Sequence, residues 1–170
     1  MKEEICRKIY RETFEDEDIT FEDLLFKHCF KYCKFFEENG RPVSMFFALP
    51  CVLKKGNFER KAIYIYAAAT DKNYRGKGYM GRLIEESKKN EELIFLRPAE
   101  DSLIDYYARF DFYVTESNNI DYEYEIIPIG GFKELCGKIT EDTSREKFNL
   151  MYFSKTDLKL NNIKFLYSMN

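Results

Sequence analysis

The sequence predicts an α/β fold of the mixed α+β kind, with helices flanking a central β-sheet. Three observations carry that expectation. Two helical patterns open the chain. A strand, a glycine-bearing loop, a helix and a short apolar strand then follow one another over 62–96, and residues 112–170 are rich in strand-forming stretches. The length of 170 residues fits one domain spanning 1–170. A chain of that size buries roughly 70% of the surface it exposes when unfolded, enough for a core of its own.

Residues 2–14 read as a helix with Ile5, Ile9 and Tyr10 on one face. The run Glu15-Asp16-Glu17-Asp18 is a solvated turn. Thr20, with Glu22 and Asp23 behind it, opens a second helix ending near Cys33. Phe35-Phe36, Asn39-Gly40 and Val43 to Leu49 read as a hairpin, because both turn residues tolerate positive φ. Pro50 and the polar stretch Lys54 to Asn57 lead into a strand over 62–70. The loop Asp71 to Gly78 runs into a helix to about Lys89, with Met80, Leu83 and Ile84 inward and Glu85, Glu86, Lys88 and Lys89 outside. Leu93 to Leu96 is a short buried strand, and a helix follows near Ser102 to Phe110. Strands are expected over Tyr122–Ile127, Phe148–Phe153 and Ile163–Tyr167, while Gly130 to Arg145 carries no clear pattern.

The core material is aromatic, with 16 Phe, 13 Tyr and no Trp. A net charge of −3 without a long basic run argues against nucleic acid as a partner. No stretch approaches the ~20 apolar residues that cross a bilayer, which argues against a membrane. Cys6, Cys29, Cys33, Cys51 and Cys136 form an odd, irregular set. With no apolar signal core at the N-terminus, they read as reduced thiols in a cytoplasmic protein. His28, Cys29 and Cys33 invite a zinc reading, but no second ligand pair accompanies them, so no metal is expected and the cysteines read as small hydrophobes. His28, the only histidine, falls at helical spacing from Leu24, Leu25 and Tyr32. It reads as a satisfied, half-buried side chain ahead of a catalytic one.

The stretch that carries chemistry is Tyr64 to Gly81. Glycines let a backbone turn tightly and approach a ligand, and the helix behind them offers unpaired N–H groups and a positive dipole end. Together with Arg75, Lys77 and Arg82 they make a site for a pyrophosphate. A P-loop needs Gly-x4-Gly-Lys-Ser/Thr, but here Asp71 stands at the first Gly and Gly78 follows Lys77. The dinucleotide fingerprint Gly-x-Gly-x-x-Gly is matched by Gly76, Gly78 and Gly81, yet Asp71 to Arg75 separate it from its strand and some sixty residues precede it.

Ala68-Ala-Thr-Asp-Lys-Asn-Tyr-Arg-Gly-Lys-Gly-Tyr-Met-Gly81 instead resembles the pyrophosphate loop of the GNAT N-acetyltransferase superfamily. The family pattern Gln/Arg-x-x-Gly-x-Gly/Ala meets Arg75, Gly78 and, imperfectly, Met80. Further on, Tyr107-Ala-Arg-Phe-Asp-Phe112 is similar to the family's Tyr-x-x-x-Gly-Phe, with Asp111 in place of Gly. The match covers about residues 1–115, with the motif-bearing part at 62–115. Its wording is similar to the branch of the enhanced-intracellular-survival aminoglycoside acetyltransferases.

The resemblance implies a GNAT-type mixed central sheet that binds acetyl-CoA as cosubstrate. It assigns cofactor contacts to Ala68, Ala69, Thr70, Arg75, Gly76, Lys77, Gly78, Tyr79, Met80 and Gly81. Direct attack by a primary amine of a small-molecule or peptide acceptor is implied, with Tyr107 protonating the leaving thiolate and Tyr106 in reserve. Tyr107 reads equally as a core aromatic beside Leu103 and Phe110. No acid lies among 62–70, so the base is left between water, Glu37 or Glu38, and the C-terminal carboxylate of Asn170, the last suggested by that branch alone. A non-catalytic coenzyme A module and a nicotinamide-dependent enzyme are the competing readings. The β-rich C-terminal segments leave edges able to pair two copies as a homodimer.

Overall fold

The computed structural model describes residues 1–15, 18–118, 121–139 and 147–166. Helix α1 (Lys2–Phe14) buries Cys6, Ile9 and Tyr10. Helix α2 (Ile19–Cys29) is capped by Asp18, whose carboxylate accepts the Phe21 N–H at 3.1 Å, two residues earlier than Thr20 suggests. It stops at Cys29, and a 3₁₀ turn over Phe30–Tyr32 leads to Cys33, the first residue of a strand. Cys29 and Cys33 therefore share no helix face. Glu22, 1% exposed, ties the two helices together by accepting Arg11 Nε at 2.7 Å and Arg7 Nη1 at 3.3 Å. A carboxylate so deep in a fold persists only with such partners.

Strands β1 (Cys33–Glu38) and β2 (Arg41–Lys55) form the expected hairpin, with Asn39 at φ 51° and Gly40 at φ 78°. β2 does not stop at Leu49 but continues through Pro50. On that edge β1 has finished pairing at Phe47 and β6 begins at Cys51, so the missing proline N–H falls in the gap between two ladders. The Pro50 carbonyl accepts the Ile129 N–H there at 3.1 Å.

Strand β3 (Phe58–Thr70) pairs with β2, and helix α3 (Tyr79–Asn90) carries the chain to β4 (Leu93–Leu96). Helix α4 (Ile104–Ala108), β5 (Tyr113–Glu116), β6 (Tyr124–Pro128), α5 (Gly130–Cys136), β7 (Asn149–Ser154) and β8 (Ile163–Lys164) follow. The sheet order is β5-β7-β4-β3-β2-β6-β8, with β1 also on β2. The pairs β3–β4 and β6–β8 are parallel, whereas β1–β2, β2–β3, β2–β6, β4–β7 and β5–β7 are antiparallel. A mixed sheet of this order ends the nicotinamide reading, which needs a parallel sheet opening on 62–96.

Each face of the sheet has its own core. Tyr64, Phe95 and Phe47 lie under α1, α2 and α5, and Ile63, Ile65 and Ile94 lie under α3 and α4. Lys88, expected outside, is only 11% exposed at its side chain. It runs over the Phe153 ring to reach Asp111 at 3.0 Å and Glu85 at 3.3 Å. Four cysteines are buried, and burial pushes the Cys29 and Cys136 thiols up to about 12, so they remain neutral packing groups.

The stretch 130–136, without pattern in the sequence, is α5. The chain between β5 and β7 crosses to the far edge of the sheet, where β6 pairs with β2. It there sets Phe132 against Tyr64 and Phe165. Asp16, Glu17, Thr140 to Arg145, Tyr167 and Asn170 lie outside the described residues. Among the described residues no helix is long and apolar enough to cross a membrane.

α5 docks on α2 through a glycine. A Cβ at Gly131 would stand 2.2 Å from the His28 carbonyl oxygen and 2.9 Å from the Tyr32 ring. Gly131→Ala is expected to cost at least the ~1–3 kcal/mol of an overpacked core. Urea unfolding checks this, and a midpoint equal to wild type would refute the close approach.

Candidate functional site

β3 is held to β2 along its whole length but to β4 only in part. Its ladder with β4 runs from Ile63 to Ile65, opposite Ile94 to Leu96, and stops where β4 ends. Tyr66 to Thr70 run on past that end. In the same place the β2–β3 register slips between Met45 and Phe47, and Ala67 takes the left-handed conformation at φ 57°. A non-glycine residue there costs roughly 1–2 kcal/mol and marks a bulge that swings the strand. The two parallel strands thus part beside Ala67 and Ala68. β3 stays on the β2 side because Met45 and Ser44 resume pairing with Ala69 and Thr70, and the Ser44 and Thr70 hydroxyls share a hydrogen bond of 2.8 Å.

The crevice between the strands leads to the glycine loop. Asp71 fixes the loop's root: its N–H donates to the Val43 carbonyl at 2.8 Å, its carboxylate accepts the Asn73 N–H at 3.0 Å, and Arg41 lies 3.5 Å away. Arg75 turns back to donate from Nε to the Thr70 carbonyl at 3.2 Å. Gly76 and Gly78 have φ of 79° and 78°, and nothing stands within 4 Å of where a Cβ would be. Both glycines are required by conformation, and both leave open space. Gly78 is the N-cap of α3 and offers no side chain to its first turn, which keeps the N–H groups there for a ligand. Gly81 faces inward: a Cβ there would meet Phe110 at 3.0 Å. The third glycine therefore serves the packing of α3 on Phe110. Met80, half-buried, packs against the core beneath α3, so its side chain does not fill the loop's open side.

Lys77 lies over the Tyr74 ring, and Arg82 lies over the Phe36 and Tyr79 rings. Tyr79 stacks on Phe36 at 4.7 Å and donates to Glu38 Oε1 at 2.6 Å, pinning the start of α3 to β1. This anchor was not evident in the sequence. Its signal is the Phe36-Glu-Glu38 strand end, which the hairpin returns toward the loop. Glu38 is committed to Tyr79 and Glu37 to Lys2, so both base candidates have partners of their own.

Tyr107 sits on α4 with Ile63, Ile65 and Leu96 in its core cluster, on the α3 face of the parting strands. It is 8% exposed, and burial, then Tyr106, pushes its hydroxyl up to about 12. The phenol is neutral at any ordinary pH and so holds a proton to give. Asp111, where the motif has glycine, adopts φ 66°. Lys88 pairs with its carboxylate, and its N–H reaches the Ala108 carbonyl at 3.1 Å. The departure from the motif thus keeps the motif's backbone. His28 is half-buried as expected but only half satisfied: Nδ1 meets Glu134 at 3.1 Å, whereas Nε2 is buried without a partner. It lies between α2 and α5, away from the crevice.

A bulged strand parting from its parallel neighbour over a glycine loop and an uncapped helix start defines the class of acyltransferases built around such a crevice. Within that class, the family model of the acetyltransferase (GNAT) domain matches residues 3–115, and the chain belongs to this family. Solved structures share the fold. A probable N-acyltransferase of Enterococcus faecalis V583 superposes with TM-score 0.56 at 19% identity, over 68% of this chain and 31% of that one. Eis1 from Mycobacterium abscessus gives 0.52 at 14%, over 68% and 31%. Naa50 of Arabidopsis thaliana, in complex with a bisubstrate analogue CoA-Ac-MVNAL, gives 0.51 at 15%, over 88% and 89%. This chain therefore spans about a third of the length of the first two. No curated protein matches it in sequence.

The tie between Ser44 and Thr70 closes the wall of the crevice. Ser44 is fully buried, so Thr70→Val leaves its hydroxyl unpaired and is expected to cost about 1–3 kcal/mol. Adding Ser44→Ala should recover part of that loss. Thermal denaturation of the single and double variants checks this, and an additive double variant would contradict the tie.

Proposed function

We propose that this protein is an acetyl-CoA-dependent N-acetyltransferase that moves an acetyl group to a primary amine by direct attack. The observation that carries the reading is the parting of β3 from β4 ahead of the open glycines that precede α3. The donor set supports it: Gly76, Lys77, Gly78, Tyr79, Met80 and Gly81 offer backbone N–H groups at a helix start, and Arg75, Lys77 and Arg82 bring positive charge, as a pyrophosphate requires. Ala68, Ala69 and Thr70 line the free edge of β3, where an extended chain can add as a strand would. Acetyl-CoA supplies an activated acyl thioester in this reading. The protein's part is to orient it, exclude water and manage protons.

Tyr107 is the group assigned to protonate the departing thiolate, because a phenol raised by burial is protonated throughout the working range. Amine deprotonation is left to water or the C-terminal carboxylate of Asn170, since Glu37 and Glu38 are engaged elsewhere. The bisubstrate analogue bound to Naa50 supports coenzyme A and a peptide amine as ligand classes here. We further propose that the chain acts as one domain in the cytoplasm. Edge strand β5, with Tyr113 and Val114 exposed, is the place for a second copy.

A thermal shift with acetyl-CoA, coenzyme A and NADPH tests the reading. Acetyl-CoA at 100 times its Kd should stabilise the fold by about 2.7 kcal/mol. Gly78→Glu, whose side chain enters open space at a backbone cost of roughly 1–2 kcal/mol for the left-handed conformation, should stay folded and lose that shift. Release of free thiol with an amine separates a transferase from a binding module.

Tyr107→Phe is expected to lower kcat by at least tenfold with little change in KM for acetyl-CoA, within the range typical of a lost proton donor. The raised hydroxyl also places any alkaline loss due to Tyr107 near pH 12, where the phenol ionises and its proton is no longer available. A kcat–pH profile with a tyrosine-dependent fall near pH 8 would remove Tyr107 from this role.

A further inference from the structure

The glycine loop is held at both ends by one hairpin. Glu38 and Arg41 are the last paired residues of β1 and β2, flanking the Asn39-Gly40 turn. Opposite charges so placed stabilise a hairpin by pairing with each other. Here each reaches one end of the loop instead. Arg41 Nη2 lies 3.5 Å from Asp71 Oδ2 at its start, and Glu38 Oε1 accepts the Tyr79 hydroxyl at 2.6 Å at its finish. We propose that Glu38 and Arg41 are positioning residues, a two-point clip that sets the loop in its anion-binding shape before coenzyme A arrives. The proposal rests on the acetyltransferase reading and names the residues that prepare its cofactor site.

The stretch between the two anchors needs such a clip. Lys72, Asn73 and Arg75 to Gly78 are exposed, and Gly76 and Gly78 both hold positive φ. Glycine loses more freedom on ordering than any other residue, so a loop with two of them opens readily when its ends are loose. A ligand that had to order the loop would bind more weakly in proportion to the time the loop spends open. The inner contacts are local. Arg75 Nε donates to the Thr70 carbonyl at 3.2 Å, the Asn73 N–H to the Asp71 carboxylate at 3.0 Å, and Lys77 lies above the Tyr74 ring. They stay within residues 70–77, so they shape the loop without joining its far end to the sheet.

The two anchors differ in kind. Asp71 is 7% exposed, and its N–H donates to the Val43 carbonyl at 2.8 Å, on the strand that carries Arg41. A carboxylate so buried persists with a cation beside it, and Arg41 supplies that cation from the solvent side. At the far end the Tyr79 ring stacks on Phe36, two residues before Glu38, with the planes 16° apart. Stack and hydrogen bond together fix the first turn of α3, the turn that offers its unpaired N–H groups.

Glu38 also allows a test by sign. A carboxylate acting through its charge near the start of α3 opposes a pyrophosphate, whereas one acting as an anchor aids it. The two roles predict opposite effects of removing it.

The test uses the purified protein with acetyl-CoA and with S-acetylpantetheine, which carries the same thioester arm without the pyrophosphate. Glu38→Leu and Arg41→Met should each raise the Kd of acetyl-CoA about fivefold, while the Kd of S-acetylpantetheine stays within about twofold. Glu38→Gln keeps an oxygen for the Tyr79 hydroxyl without the charge, and should bind acetyl-CoA within about twofold of wild type. In the free protein, tryptic cleavage after Arg75 and Lys77, read by mass spectrometry, should rise at least about fivefold in Glu38→Leu and in Arg41→Met, but not in Glu38→Gln. Tighter acetyl-CoA binding by Glu38→Leu, an equal loss for both ligands, or unchanged cleavage in Glu38→Leu or Arg41→Met would overturn the proposal. Wild-type protein that binds neither ligand would strike the acetyltransferase reading instead, and the cleavage rates alone would then decide whether the hairpin orders the loop.

Discussion

The parting of β3 from β4 depends on a difference in length between neighbouring strands. β4 has four residues, all buried, between a thirteen-residue β3 and a β7 that reaches past it. A parallel ladder cannot continue without a partner, so β3 is released after Ile65. The bulge at Ala67 then turns this release into a defined direction. The strain of a left-handed alanine persists because β2 grips β3 on both sides of the bulge, at Phe47–Tyr66 and Met45–Ala69. The crevice and the glycine loop beyond it both follow from that one truncated strand.

Two motif departures keep the motif's backbone geometry because tertiary contacts take over from residue type. Asp111 holds the positive φ that glycine would take freely, and Lys88 reaches across from α3 to pair with it. A pair whose carboxylate is this exposed contributes little energy alone, but it also draws α3 toward the turn after α4. Met80 turns inward to the core, so the loop's open side is set by Gly76 and Gly78. In both cases the backbone geometry is what the motif preserves.

The chain between β5 and β7 has a further consequence. By crossing to β2 and laying α5 on α2, it covers the face of the sheet around Tyr64 with Phe132, which packs with Phe165 from beyond β8, each almost fully buried. Burying such rings contributes roughly 1.5–3 kcal/mol each. That face is closed by core packing.

Local chemistry was enough to determine the hairpin at Asn39-Gly40, the strand of Leu93–Leu96 and the start of α3 at Gly78 with its uncapped first turn. Positive φ at glycine and asparagine, a short apolar run and uncapped N–H groups are properties of neighbouring residues, so they are legible along the chain. The passage of β2 through Pro50, the inward turn of Lys88, the anchoring of Tyr79 on Glu38 and the helix at 130–136 were decided by tertiary structure. Each depends on a partner distant in sequence: the gap between β1 and β6, Asp111 behind α4, the hairpin end, and the α2 surface around His28. The same holds for the two ends of the glycine loop. Glu38 and Arg41 are ordinary charges in sequence, and only the folded hairpin brings them to Tyr79 and Asp71.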